Sequence, residues 1–161
     1  MDLYHYTECG LDNVWLEDGF EVESFGSYGT GVAVHDEKGL WEVLGRGIVG
    51  QDSHMVGQEM KFLRTQLNWT QADLGKRLSY NDGQVVAQWE KLKHKAIPIN
   101  ADVFIRAAYR EHIGEKPMVT RVSSRLIEIM NVMEEGYCRV LAEGPMGQWM
   151  PKEAPAIMAL A

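Results

Sequence analysis

The sequence predicts an α+β fold: a small β-rich N-terminal domain, then a five-helix bundle, then a C-terminal hairpin. Three observations carry this. Within residues 1–34 apolar side chains pair at two-residue spacing, Tyr4 with Tyr6, Val14 with Leu16, Phe20 with Val22 and Val32 with Val34, the period of half-buried strands. From Gly57 onward they recur at three, four and seven, the period of amphipathic helices. Near the C-terminus two short apolar runs flank Gly144-Pro145-Met146-Gly147, a turn-forming tetrapeptide. A chain of 161 residues, 45% hydrophobic, is enough for one ordinary core or two small ones. The expected divisions are residues 1–50, 55–113 and 118–161.

Composition narrows the function classes. No apolar run approaches the roughly 20 residues of a membrane span. The start, MDLYHYTECG, lacks the basic and apolar regions of a signal peptide, so a cytoplasmic protein without a membrane partner is expected. Only Cys9 and Cys138 are present, too few for a disulfide scaffold or a cysteine-rich zinc site. Net charge is −7, but unevenly spread. Residues 1–56 hold 2 Lys and Arg against 11 Asp and Glu, a balance of −9, whereas residues 57–95 hold 7 against 4, a balance of +3. Residues 96–161 hold 7 against 8, a balance of −1. A basic segment inside an acidic chain carries more information than the total.

Taken in order, Tyr4 and Tyr6, then Val14, Leu16, Phe20 and Val22, fit strands, with Asp18-Gly19 as a hairpin turn between two of them. Gly26, Gly29 and Gly31 fit a turn feeding a third strand through Val32 and Val34. No Gly-Lys-Ser/Thr follows them and their order does not match a dinucleotide fingerprint, so a turn is preferred to a phosphate cradle. Asp36 suits the N-cap of a short helix from Glu37 to about Leu44, with Leu40, Trp41 and Leu44 inward. His5, Cys9 and His35 lack metal-ligand spacing, and neither a metal nor a cofactor is expected. The acidic residues form a solvated surface or, more sharply, a face for a basic protein partner. Gly45 to Ser53, with three glycines, is the expected connector.

The next stretch, Met60 to Lys91, divides into three short amphipathic helices. The first runs from about Gly57 to Leu67 with Met60, Leu63 and Leu67 inward, and Asn68 ends it. The second has a strong start: Thr70 at the N-cap, Asp73 at N3 as a capping-box partner, and Trp69 with Leu74 as a hydrophobic staple. Gly75 costs about 1 kcal/mol relative to Ala inside it, so its use is to let a neighbour approach. Ser79 to Gly83 is turn chemistry. The third helix begins near Asp82 or Gly83 and runs to Lys91, with Val85, Val86 and Trp89 on one side and Gln84, Gln88 and Lys91 on the other.

That last face has the chemistry of a DNA-reading surface. Glutamine both donates and accepts, and pairs bidentately with adenine. Ala87, at the margin, suits a thymine methyl. Lys76, Lys91, Lys93 and Lys95 suit phosphates, and Asn81 in the turn joins the set. Gln71 lies where a helix N-terminus favours a phosphate. The run LRTQLNWTQADLGKRLSYNDGQVVAQWEK, Leu63 to Lys91, resembles the XRE family of Cro/phage-repressor-type helix-turn-helix regulators through Leu63-Arg64, Thr70-Gln71, Leu74, Leu78 and Trp89-Glu90. Gly75 stands where that family usually has Ala, and the turn is one residue longer than its commonest form. The resemblance implies that Gln71, Gln84 and Gln88 contact DNA and that Arg64 and Glu90 form an ion pair linking the first and third helices. The N-terminal YHYTECGLDNVWLEDGF, placed before such a domain, resembles MqsA/YgiT-type antitoxins. That group often carries zinc on two CxxC pairs, of which only Cys9 remains, so zinc is not carried over.

Past the extended Ile97-Pro98-Ile99, Asn100 suits the cap of a fourth helix to about His112, with Val103, Phe104, Ala107 and Ala108 inward, completing the bundle around Trp89. Gly114 and Pro117 break it. A fifth helix from about Val122 to Glu135 carries Val122, Leu126, Ile129 and Met133 in one stripe, facing either its own bundle or a second copy. Tyr137–Val140 and Gln148–Met150 make the hairpin. The expected function is a transcriptional regulator binding double-stranded DNA as a homodimer. Its rivals are an antitoxin that also regulates its own operon and an interaction module whose helix-turn-helix no longer binds DNA. No nucleophile–base or paired-carboxylate arrangement argues for an enzyme.

Overall fold

The computed structural model describes residues 3–115 and 139–153. They form β1 (Tyr4–His5), β2 (Val14–Leu16), β3 (Phe20–Ser24), β4 (Thr30–Val34), α1 (Glu37–Gly50), α2 (Gly57–Gln66), α3 (Gln71–Arg77), α4 (Gln84–Lys91), α5 (Ile99–His112), β5 (Arg139–Glu143) and β6 (Trp149–Lys152). The mixed class is the expected one, with strands mostly early and helices after. The expected helix over Val122–Glu135 lies outside the described residues. The chain divides into two compact units, Met1–Leu44 with Gly136–Ala161, and Gly45–Glu135. The division falls within α1, at the first residue of the glycine-rich stretch.

In the first unit a sheet has the order β1-β2-β5-β6. The C-terminal hairpin forms as expected, but β5 pairs in parallel with β2, Val14 opposite Arg139 and Leu16 opposite Leu141, so it belongs with the N-terminal strands. Strands of two and three residues cannot hold a core alone. Val14 and Leu16 find the apolar neighbours they need in Val140 and Leu141, all four being buried. Asp18-Gly19 does not turn a hairpin: β2 pairs with β1 and β5, and β3 with β4. Gly19 has φ +74°, and a Cβ there would stand 2.5 Å from the Trp149 ring. The Asp18 carboxylate accepts from the Glu143 N–H at 2.5 Å. This pair therefore clasps β5 and β6. Tyr6 is buried; its hydroxyl donates to Glu37 at 3.1 Å and accepts from the Trp41 indole at 3.0 Å. Burial is the main reason that its hydroxyl ionises only far above the usual tyrosine range. The β3–β4 hairpin forms a separate two-stranded sheet, and its alternation does not bury Val22, which is 62% exposed.

Asp36 caps α1 as expected, its carboxylate accepting from the Gly39 N–H at 3.0 Å, and Leu40 and Leu44 are buried. The helix continues past Leu44 to Gly50, through the residues expected to be a connector. Ile48 and Val49 are buried there, and Gly45 admits Tyr109: a Cβ would meet its hydroxyl at 2.1 Å. Burial of those two side chains outweighs the helix penalty of about 1 kcal/mol per glycine. The carbonyls that end α1 are met by α5. Arg106 donates to the carbonyls of Ile48, Val49, Gln51 and Ser53 at 3.1, 3.2, 3.0 and 2.9 Å. It also pairs with Asp102, whose other oxygen accepts from the Met55 N–H at 2.9 Å.

The buried face of α5 is therefore Ala101, Asp102, Ile105, Arg106 and Tyr109, not Val103, Phe104, Ala107 and Ala108, which are half-buried. A hydrophobic stripe misplaces this face because two of its members are charged and satisfy each other. Asn100 does not cap; the helix starts at Ile99 behind Pro98. Trp89 is half-buried rather than central, and the α4 side chain that reaches the core is Val86.

The helices α2 and α3 end alike. Asn68 (φ 56°) and Ser79 (φ 68°) take the left-handed position after the C-cap. Trp69 N–H bonds back to the Arg64 carbonyl at 3.1 Å, and Tyr80 N–H to that of Gly75 at 2.9 Å. The Thr70–Asp73 capping box starts α3, with Asp73 N–H on the Thr70 hydroxyl at 3.1 Å and Thr70 N–H on the Asp73 carboxylate at 2.8 Å. Bonds from the Thr70 hydroxyl and N–H hold the Asp73 carboxyl below the usual range. Trp69, expected against Leu74, lies under the Arg77 guanidinium at 4.2 Å and stacks on Phe104 at 6.2 Å.

Gly75 shows why alanine does not occupy its position: a Cβ would sit 2.1 Å from the Asp82 backbone oxygen. Helix propensity favours Gly75→Ala by about 1 kcal/mol, and overpacking opposes it by about 1–3 kcal/mol. The backbone leading into α4 cannot rotate aside as a side chain would, so the steric cost is expected to win. Urea unfolding followed by circular dichroism should show a lower midpoint in Gly75→Ala.

Candidate nucleic-acid interface

The helices α2, α3 and α4 meet around one ionic cluster. The Arg64 guanidinium on α2 pairs bidentately with Glu90 on α4, Nε to Oε1 at 2.6 Å and Nη2 to Oε2 at 3.2 Å. Its third bond goes to the Trp69 carbonyl at 2.6 Å, in the turn between α2 and α3. Both side chains are buried, so this is the ion pair that the resemblance implied, and its geometry is structural. Glu90 also accepts from the Gln71 amide on α3 at 2.7 Å. Gln71 is thus half-buried and shares its side chain with the cluster. A primary amide has two hydrogens, and the bond to Glu90 uses one of them.

This cluster sets the rotation of α4. Val86 and Glu90 turn inward; Gln84, Gln88 and Lys91 are exposed along the opposite side, with Ala87 half-buried at one margin. The only acidic residue of the helix is thereby removed from the exposed stripe. The helix starts at Gln84 after Gly83, whose close packing on Ala72 and Gln71 leaves no room for a Cβ. The Asp82 carboxylate accepts from the Gln84 N–H at 2.9 Å. Asn81 is exposed in the turn, and Lys76 is exposed on α3.

The lysines after α4 are also placed. Gly57 N–H bonds to the Lys95 carbonyl and Gln58 N–H to the Lys93 carbonyl, both at 3.1 Å. The loop thus caps the N-terminus of α2 with its backbone, while Lys91, Lys93 and Lys95 stay exposed. The eight residues Gln71, Gln84, Ala87, Gln88, Lys76, Asn81, Lys91 and Lys93 all lie on α3, α4 or the segments flanking α4.

Val85 and Trp89, expected on one side of the helix with Val86, do not share its burial. Both are half-buried and line an open depression of about 730 Å³ shared with Gln84, Gln88, Leu92 and Lys95. Tyr80 meets the Trp89 ring edge-on at 5.8 Å. The signal was present: Val85, Trp89 and Leu92 stand at i, i+4 and i+7, an apolar stripe beside the polar one.

Among the described residues no three His, Cys, Asp or Glu side chains gather as a metal cage. His5 stacks on Trp15 at 4.2 Å, and His35 lies 3.3 Å from Glu143. Burial pushes the Cys9 thiol up to about 11. No helix of the described residues is long and apolar enough to cross a membrane. No protein-family model, curated protein or solved structure matches this chain.

Proposed function

We propose that this protein is a sequence-specific regulator that binds double-stranded DNA with α4 in the major groove, and that it is not an enzyme. The observation that carries the reading is the exposed stripe of α4. Gln84, Gln88 and Lys91 face outward without an acidic neighbour on the helix, because Glu90 is turned inward onto Arg64. A solvated helix face has no need of this segregation, whereas base edges require side chains that donate and accept. Gln84 and Gln88 take the bases. Gln71, Lys76, Asn81, Lys91, Lys93 and Lys95 take the phosphates, and Ala87 lies at the edge of the groove. One such unit covers a half-site, so a homodimer on two half-sites about one helical turn apart is the working form.

Binding to duplexes selected from a random pool tests this. Gln88→Ala should weaken selected-site binding by roughly 5–150-fold, the worth of a bidentate base contact, and leave non-specific binding nearly unchanged. Lys91→Ala should weaken both and reduce the salt slope by about one. An unchanged preference in Gln88→Ala would remove Gln88 from the reading face. No shift of any duplex at low or moderate salt would favour the interaction-module reading instead.

A second function is favoured by the first unit. The β3–β4 hairpin exposes Val22, Phe25 and Tyr28 beside the exposed Glu21 and Glu23, an apolar surface with an acidic edge. It suits a basic protein partner, as an autoregulating antitoxin would need. Stable co-purification with a small basic protein encoded next to it would support this reading.

A further inference from the structure

We propose that the depression beside α4 reads thymine, with Val85 taking the 5-methyl group of a thymine adjacent to the bases met by Gln84 and Gln88. This rests on the DNA-binding reading above and adds to it a specificity residue and a base.

Three features lead there. First, Val85 is half-buried at the boundary between the polar stripe and the depression, one position after Gln84 and three before Gln88. A side chain so placed approaches the groove edge next to the one that either glutamine meets. Second, the wall behind it is apolar: Trp89 and Leu92 continue the Val85 surface, and Leu92 is 50% exposed. Thymine alone among the four bases presents a methyl group in the major groove, so it alone offers this surface an apolar partner. Third, charge orders the rim. Lys95 lines it and can meet the phosphate of the strand carrying that thymine. Asp82 also lines it, its carboxylate held on the Gln84 N–H, and disfavours a phosphate beside it. A strand crossing here is therefore favoured at Lys95 and not at Asp82.

Ala87, on the opposite margin of the stripe, has no comparable apolar surround in this depression. Its single methyl offers less area to a thymine than Val85 backed by Trp89.

The test uses the full chain and duplexes selected from a random pool. Each thymine of the selected site is replaced singly by deoxyuridine, which lacks only the 5-methyl group. One thymine per half-site is expected at which the replacement weakens wild-type binding about fourfold, the worth of burying one methyl. In Val85→Ala and Val85→Ser that penalty should fall below twofold. In Val85→Thr, which keeps a methyl branch, it should persist, and in Gln88→Ala it should also persist. Circular dichroism establishes that each variant is folded. Tolerance of deoxyuridine at every position by the wild type overturns the inference and leaves the DNA reading standing. So does an unchanged penalty in Val85→Ala, or a penalty lost in Ala87→Gly instead. Failure to select any sequence overturns both.

Discussion

Arg106→Ala is expected to lower the unfolding free energy by about 3–5 kcal/mol, the cost of removing one partner from a buried ion pair. Asp102 is fully buried, so without Arg106 its charge has no cation beside it. The carbonyls of Ile48, Gln51 and Ser53 lose this donor as well, while that of Val49 keeps its bond from Arg110 at 2.9 Å. Urea denaturation followed by the helical circular dichroism signal measures the loss. Arg106→Lys should recover little of it, because a single ammonium cannot reproduce the planar fork that spans several carbonyls. Adding Asp102→Asn to Arg106→Ala should recover more. The amide oxygen still accepts from the Met55 N–H, and no buried charge remains. If Arg106→Ala unfolds at the wild-type midpoint, the network does not hold α1 to α5.

Glu90→Ala is expected to cost a similar amount, about 3–5 kcal/mol, because it leaves Arg64 buried and unpaired. It also releases Gln71. The proposed DNA binding should fall with stability, since the rotation of α4 depends on this cluster. Replacing both charges with apolar residues of similar size, Arg64→Met with Glu90→Leu, should recover most of the stability. The pair is therefore tested as a structural device by a double-mutant cycle in urea. If Glu90→Ala keeps its stability and loses only DNA binding, Glu90 acts on the ligand and not on the fold.

Much of the second unit was legible from short-range patterns. Thr70 and Asp73 announce the start of α3 because a capping box needs only four residues. Asn68 and the Ser79–Gly83 turn mark helix ends by local backbone chemistry, and both ends occur there. The polar stripe Gln84, Gln88 and Lys91 follows from helical period alone, and it is exposed. The expectations that failed involve partners distant in sequence. Gly45 and Gly50 look like a connector until Tyr109 and Arg106, some 60 residues away, are seen to need a helix there. Asp102 and Arg106 look like surface charges because hydrophobicity counts them as polar. Their mutual pairing is what buries them.

The sequence alone determined the helix periods, the caps of α1 and α3, the exposed glutamine stripe and the charge division between an acidic N-terminal third and a basic segment after Gly57. Each is set by a residue and its neighbours within about one helical turn. Only the tertiary structure decided that β5 and β6 complete the N-terminal sheet, that α1 runs to Gly50 and that Asp102 and Arg106 lie on the buried face of α5. Each depends on which distant surface supplies a missing hydrogen bond or apolar contact. No local pattern contains that information.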